Sequence, residues 1–217
     1  NLDLSMSKVR AVLISHEHAD HVRGVDVLSR RFTVPILMTR KTYASYGKLI
    51  SSALLNFFAP EEQIKIGRIL IHPFLKYHDA AEPCSFLISS EGWNVAVLTD
   101  IGLACSNVIS HVKDADAIFL ETNYDEDMLS KGPYPPFLKA RIASNRGHLS
   151  NRQAGMIALE HASARLKHVI LSHISENNNT PELAFQTFNH FIGQRKDLKP
   201  ELSVASRYRE SRLVSLK

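Results

Sequence analysis

Only two cysteines occur in 217 residues, Cys84 and Cys105. That is too few for the disulfide framework of a small secreted fold, and they are too far apart to form a close-spaced thiolate metal site. No apolar run approaches the roughly 20 residues of a transmembrane helix, and no basic-then-apolar leader opens the segment. The expectation is a soluble protein of the reducing cytoplasm, with no membrane partner. Asn1 is not an initiator, so residues can precede this segment. No internal repeat or domain linker is visible. With 44% hydrophobic and 22% charged residues, near globular averages, residues 1–217 are expected to form one domain. The formal net charge of +4 and pI near 9.1 would help to recruit a polyanion but do not identify one. Against these absences stand 11 histidines, the commonest metal ligand among side chains, several of them at the ends of apolar runs.

Val9 to Ser15 reads as a short buried strand breaking into a polar cluster, and Gly24 to Arg31 as a helix. Val34 to Thr39 is a second strand, Arg40 to Ile50 has amphipathic helical spacing, and Ile69 to Phe74 is a third strand. Cys84 to Ser89 and Asn94 to Thr99 form a predicted hairpin turning through Ser90-Glu91-Gly92-Trp93. A helix over Leu103 to Val112 and a strand over Ala117 to Glu121 follow. Residues 130–147 carry three prolines, two glycines and four basic side chains, which predicts a long irregular loop over the site. Ser150-Asn151-Arg152-Gln153 is a capping box for a helix running to about Ala162. Val169 to Ser172 is a strand ending at His173, and Thr180-Pro181-Glu182 opens a helix ending near Gly193. The alternation points to stacked helix and strand layers.

The most informative stretch is His16-Glu17-His18-Ala19-Asp20-His21, four candidate ligands within six residues. On a loop leaving a strand they can diverge toward two neighbouring metal ions. The bland alternative is a polar loop, yet three histidines so close together serve no packing purpose.

This run resembles the signature of the metallo-β-lactamase superfamily, and later motifs match too. Leu98-Thr99-Asp100-Ile101-Gly102 is similar to the family's bridging-aspartate motif, and Ile170-Leu171-Ser172-His173 to its last histidine motif. The resemblance implies an α+β fold, a four-layer αββα sandwich. It also implies two divalent ions, zinc or manganese with iron as a further candidate. By that resemblance His16, His18 and His78 hold one ion, Asp20, His21 and His173 the other, and Asp100 bridges them. Finer matches resemble the YycJ/WalJ-like group of cytoplasmic nucleases: His78-Asp79-Ala80, Leu120-Glu121-Thr122-Asn123, Gly147-His148-Leu149-Ser150-Asn151 and Ser175-Glu176-Asn177-Asn178-Asn179. Tyr124 departs from that group, where a histidine is expected after the asparagine. The family also has several strands before its first metal motif, and the short segment here implies that part of the first sheet is missing.

Two ions about 3.5 to 4 Å apart can share a water, make hydroxide available near neutrality and offset charge on a phosphoryl transition state. The catalytic expectation is Asp20 with His148, a proton donor similar to the separate histidine of phosphodiesterase branches and placed ahead of a helix N-terminus; the bland reading of His148 is a capping-loop histidine. Asp79 either orients a ligand or caps a loop, and Glu121 either holds an imidazole N–H or ends a strand. Lys139, Arg141 and Arg146 either contact phosphates or are solvated charges, and Asn177, Asn178 and Asn179 either bind substrate or form an Asn-rich turn. His72, His111, His161, His168 and His190 fall in apolar-periodic segments and are read as structural. The leading function is a metal-dependent phosphodiester hydrolase, a DNA exonuclease with nucleic acid as its partner. The alternatives are a small-molecule or cyclic-phosphate phosphodiesterase, a lactamase or thioester hydrolase, and a non-catalytic metal-binding regulatory protein.

Overall fold

The structure is a computed structural model describing residues 5–216. Two sheets form within it. The first is three-stranded and parallel, in the order β1 (Val12–Leu13), β2 (Ile36–Met38), β3 (Leu55–Phe57). The second is seven-stranded, in the order β10 (Glu201–Val204), β9 (His168–Ser172), β8 (Ala117–Glu121), β7 (Trp93–Leu98), β6 (Cys84–Ser90), β5 (Ile69–Leu75), β4 (Ile64–Ile66). Strands β4 to β7 form an antiparallel meander, while β7 to β10 pair in parallel. Since β5 and β7 are each antiparallel to β6, β5 runs with the parallel set, and the C-terminal ends of β5, β7, β8 and β9 share one edge.

Three apolar clusters define the layers. Ile14, Val25, Ile36, Met38 and Tyr46 pack the first sheet against α2 (Val25–Phe32) and α3 (Arg40–Tyr46). Phe58, Ile71, Cys84 and Phe86, joined by Leu13 and Leu37, lie between the sheets. The largest cluster joins Leu98, Leu120 and Leu171 of the second sheet to residues such as Val108, Ile157 and Phe188 of α4 (Ser106–Asp114), α7 (Asn151–His161) and α8 (Pro181–Ile192). Helices, sheet, sheet, helices: this is the αββα sandwich. Along β8, Ile118 and Leu120 belong to the helix-side core whereas Phe119 is 38% exposed on the opposite face, as strand alternation requires.

Local chemistry explains several elements. The β6–β7 hairpin turns on Glu91 and Gly92, both at positive φ, as a two-residue turn of right-handed twist demands. The predicted capping box is present: Ser150 accepts from Gln153 N at 3.1 Å, and Gln153 Oε1 accepts from Ser150 N at 2.8 Å. The predicted first strand is shorter, with only Val12 and Leu13 paired. The predicted helix from Arg40 ends at Tyr46 because Gly47 takes φ 67° as a left-handed cap.

Residues 130–147 are not the long irregular loop that proline content predicts. They include the end of α5 (Glu126–Lys131) and all of α6 (Pro136–Ile142). Pro136 sits in the first turn of α6, where its missing N–H costs no helical hydrogen bond. Strands β3, β4 and β10 also escaped the pattern, being only three or four residues long. No helix among the described residues is long and apolar enough to cross a membrane.

Helices α7 and α8 meet at Gly155, where an added Cβ would lie 2.5 Å from the Phe191 ring. Gly155→Leu is expected to lower stability by about 1–3 kcal/mol through overpacking, read by urea denaturation. Unchanged stability would show that this helix contact can relax freely.

Candidate metal centre

The site lies where strands end. His16 follows β1, His78 follows β5, Asp100 follows β7, Glu121 closes β8 and His173 follows β9. A backbone hydrogen bond from Cys84 N to Ser15 O, 2.9 Å, joins the start of β6 to the end of the first-sheet segment and so sets His16 beside the second sheet. Ala19–Val22 forms a single helical turn, α1, carrying Asp20 and His21. Ser15 Oγ lies 2.9 Å from His16 Nδ1 and 3.2 Å from His21 Nδ1, orienting both rings by their inner nitrogens.

Asp100 and His173 both take left-handed backbone conformations, φ 55° and 57°. Such conformations cost of order 1–3 kcal/mol in a non-glycine residue and persist where the surroundings over-determine them. Asn123 Nδ2 donates to His173 O at 2.9 Å, which fixes one of them.

All seven residues of the expected ligand set converge. Three groups have donor atoms within 4.8 Å of one another: His16, His18 and His78; His16, His21 and Asp100; and Asp20, His21 and His173. Asp100 Oδ2 is 3.3 Å from His21 Nε2, and Asp100 Oδ1 is 3.7 Å from His78 Nε2 and 3.5 Å from His173 Nε2. The aspartate thus faces both halves of the cluster. His16 Nε2 and Asp100 Oδ2 are buried with no hydrogen-bond partner. Orphaned lone pairs converging from imidazoles and carboxylates fit divalent ions, because a buried acceptor without a donor is otherwise costly.

A fourth group, Asp100, Glu121, His148 and His173, is equally compact but has a different use. Glu121, fully buried, accepts from Asp100 N at 3.1 Å, Ile101 N at 2.7 Å and Leu149 N at 3.1 Å. His148 Nδ1 and His173 Nδ1 lie 2.8 and 2.7 Å from its Oε1. With its lone pairs so engaged, Glu121 positions the loops and rings around it.

Burial opposes ionisation of Glu121, but its bonds to His148 and His173 hold its carboxyl down at about 2. Burial also opposes charge on His173, and its pairing with Asp20 and Glu121 outweighs that and lifts it to about 10. His16 falls to about 2 and His78 to about 4, in both cases chiefly through burial. Asp100 stays well below the carboxylate range despite burial because His21 and Lys76 face it.

Lys76 is the feature that sequence reading missed. Its side chain is 1% exposed, donates to Thr99 O at 2.6 Å and places Nζ 3.9 Å from Asp100 Oδ2. It therefore clamps the backbone just before the left-handed Asp100, and burial lowers its pKa. A lysine two positions before His78 at a strand end was the only available signal.

The remaining candidates divide. Asp79 touches His18 and His78, at 3.8 and 3.4 Å, and pairs with Arg141 at 2.5 Å. Arg146 is exposed, its guanidinium 3.5 Å from His78 O. Lys139 donates to Ser130 O. Asn177 donates to Tyr134 Oη at 3.0 Å. Asn178 and Asn179 are buried: Asn178 turns toward Ser175, and Asn179 bonds Thr122 O and the Asn151 side chain. The triple-asparagine run therefore presents Asn177 outward and turns Asn178 and Asn179 inward. Tyr124 is buried, and burial raises its hydroxyl to about 12. The five histidines left out join none of the candidate metal groups among the described residues.

Residues 2–174 match the family described as the Beta-lactamase superfamily domain. The chain belongs to that superfamily. As a member it is a metal-dependent hydrolase, with the superfamily's αββα fold around its metal-binding loops. It is 31% identical over 196 residues to a protein named exodeoxyribonuclease YycJ from Bacillus anthracis, spanning 89% of this chain and 74% of that one. It is 32% identical over 189 residues to one named exodeoxyribonuclease WalJ from Streptococcus pneumoniae, spanning 85% and 70%. In fold it is similar to the metallo-β-lactamase fold protein YhfI from Bacillus subtilis, with a TM-score of 0.72 at 18% identity, covering 94% of this chain and 77% of that one. Beyond residue 174, α8 and β10 extend the same second sheet and its helix layer.

Glu121→Gln keeps the shape of the hub but turns an NH2 toward donors in a dry site. The expected result is a loss of about 1–3 kcal/mol in urea denaturation and fewer metal ions per chain by atomic emission. Wild-type values in both would show the hub to be dispensable.

Proposed function

We propose that this hydrolase cleaves phosphodiesters in nucleic acid, as a DNA exonuclease of the cytoplasm, using two divalent ions drawn from zinc, manganese or iron. His16, His18 and His78 would hold one ion, Asp20, His21 and His173 the other, with Asp100 shared. When bound, the ions supply Lewis acidity that makes a water nucleophilic near neutrality and offsets charge on phosphate oxygens. Everything else falls to the protein.

The observation that carries the reading is His148. Its ring lies 5.2 Å from that of His78 and 5.3 Å from that of His173, against both halves of the cluster. The Glu121 carboxylate receives its Nδ1–H and would steady the imidazolium, whose Nε2–H is then the proton given to a departing oxygen, leaving the neutral Nδ1–H ring. Gly147 sets the approach: a Cβ there would meet Ile142 O at 2.1 Å, and its carbonyl takes the Nδ1–H of His78 at 3.0 Å. Asp20, exposed beside His21 and His173, would orient the attacking water as well as bind metal on this reading. Arg141, Arg146 and Asn177 are the phosphate and substrate contacts of this reading; Asp79 and Glu121 position the groups that they touch. The names of the YycJ and WalJ relatives support DNA as the polymer, and two free cysteines fit a reducing compartment.

His148→Ala is expected to lower turnover of end-labelled single- and double-stranded DNA by about 100-fold or more at unchanged metal content. RNA run in parallel assigns the polymer. Equal rates in the two proteins would remove His148 from the chemistry. A compact phosphodiester is the second reading, favoured by the small cavity beside His148. For a polynucleotide, affinity should drop steeply as salt rises and counterions are released; a shallow response would favour the compact ligand.

A further inference from the structure

A cavity of about 230 Å³ opens beside the metal cluster. Asp79, Arg141, Gly147 and His148 form its catalytic edge, and Tyr134, Leu138 and Ile142 its outer wall. On α6, Leu138, Arg141 and Ile142 stand three and four residues apart and so share one face. Tyr134 is fixed from behind by Asn177, and Arg141 is spread against Asp79 by an ion pair. The wall is therefore a rigid aromatic and aliphatic surface, bounded by a guanidinium on one side and the proton-donating imidazole on the other.

Its size decides what it can take. Pockets for drug-sized ligands run to roughly 300–1,000 Å³, so this one holds a single planar ring system with part of a sugar. A ring seated between Tyr134 and Leu138 leaves its attached phosphate at the Asp79–His148 edge, next to the cluster. Aromatic and guanidinium surfaces take any base through its π-face, without reading sequence. Phe137, 75% exposed one turn before Arg141, adds an exposed ring on the same helix.

Resting on the nuclease reading above, we propose that this pocket seats the base of the terminal nucleotide, unstacked from its neighbours, so that the scissile phosphate lies at His148. Strand ends, single or frayed, are then the productive substrate, and a base is a recognition element that a bare phosphodiester lacks.

The test compares kcat/KM of the metal-loaded full chain on two single-stranded oligonucleotides, identical except that the terminal residue at the cleaved end is normal or abasic. The wild type should favour the normal end by on the order of tenfold. Leu138→Trp, which fills the pocket from an exposed helix, and Tyr134→Ala, which removes its wall, should each bring that ratio toward one, with folding checked by thermal denaturation. Cleavage by wild type at equal rates on both ends overturns the pocket assignment and leaves the nuclease reading standing. A preserved tenfold ratio in both folded variants also overturns it. No cleavage of either strand, while a simple aryl phosphodiester is hydrolysed, overturns the nuclease reading and this assignment with it.

Discussion

A carboxylate with no exposed surface holds this site together. Glu121 gathers three backbone N–H groups and two imidazoles, and these five donors come from three chain segments: the end of β7, the loop before α7 and the end of β9. Burying a charge is expensive unless it is fully bonded, and here the bonding is complete enough to keep the group ionised. The same bonds take the Nδ1–H of His148 and of His173, leaving their Nε2 atoms toward the cluster. One residue outside the seven-residue candidate ligand set thus fixes the direction of two rings that border it.

The sheet topology makes that economy possible. The ends of β5, β7, β8 and β9 fall on one edge because β5 runs with the parallel set despite lying in the antiparallel meander. Each strand then reaches the common point within three residues of its end: Glu121 closes β8, His173 lies one residue past β9, Asp100 two past β7 and His78 three past β5. The Ser15–Cys84 link brings the first sheet to the same edge, adding the four candidate ligands of the short His/Asp run.

Much of this was legible in the sequence, for a physical reason. His16 to His21 is a contiguous motif whose chemistry shows in its composition, and Asp100, Glu121 and His173 each follow an apolar run, which marks a strand end. Ser150 announced its helix through local capping rules. Illegible features were those defined by partners distant in the chain. Lys76 looks like any loop lysine until its burial against Asp100 and Thr99 is seen. Asn178 and Asn179 look like an exposed turn until the packing closes over them. In α6, prolines that normally break structure sit where a helix begins, and composition alone points the wrong way.

The left-handed residues at Asp100 and His173 have a further consequence for the life of the protein. Both sit in a cluster where Asp20, Asp100 and Glu121 face His21, His173 and Lys76, so charged groups of both signs meet at two left-handed backbone positions. A divalent cation that binds the folded cluster and not the unfolded chain would favour the folded state by mass action. Stability would then rise with metal supply, and local opening of the strand-end loops would become rarer as the ions bind.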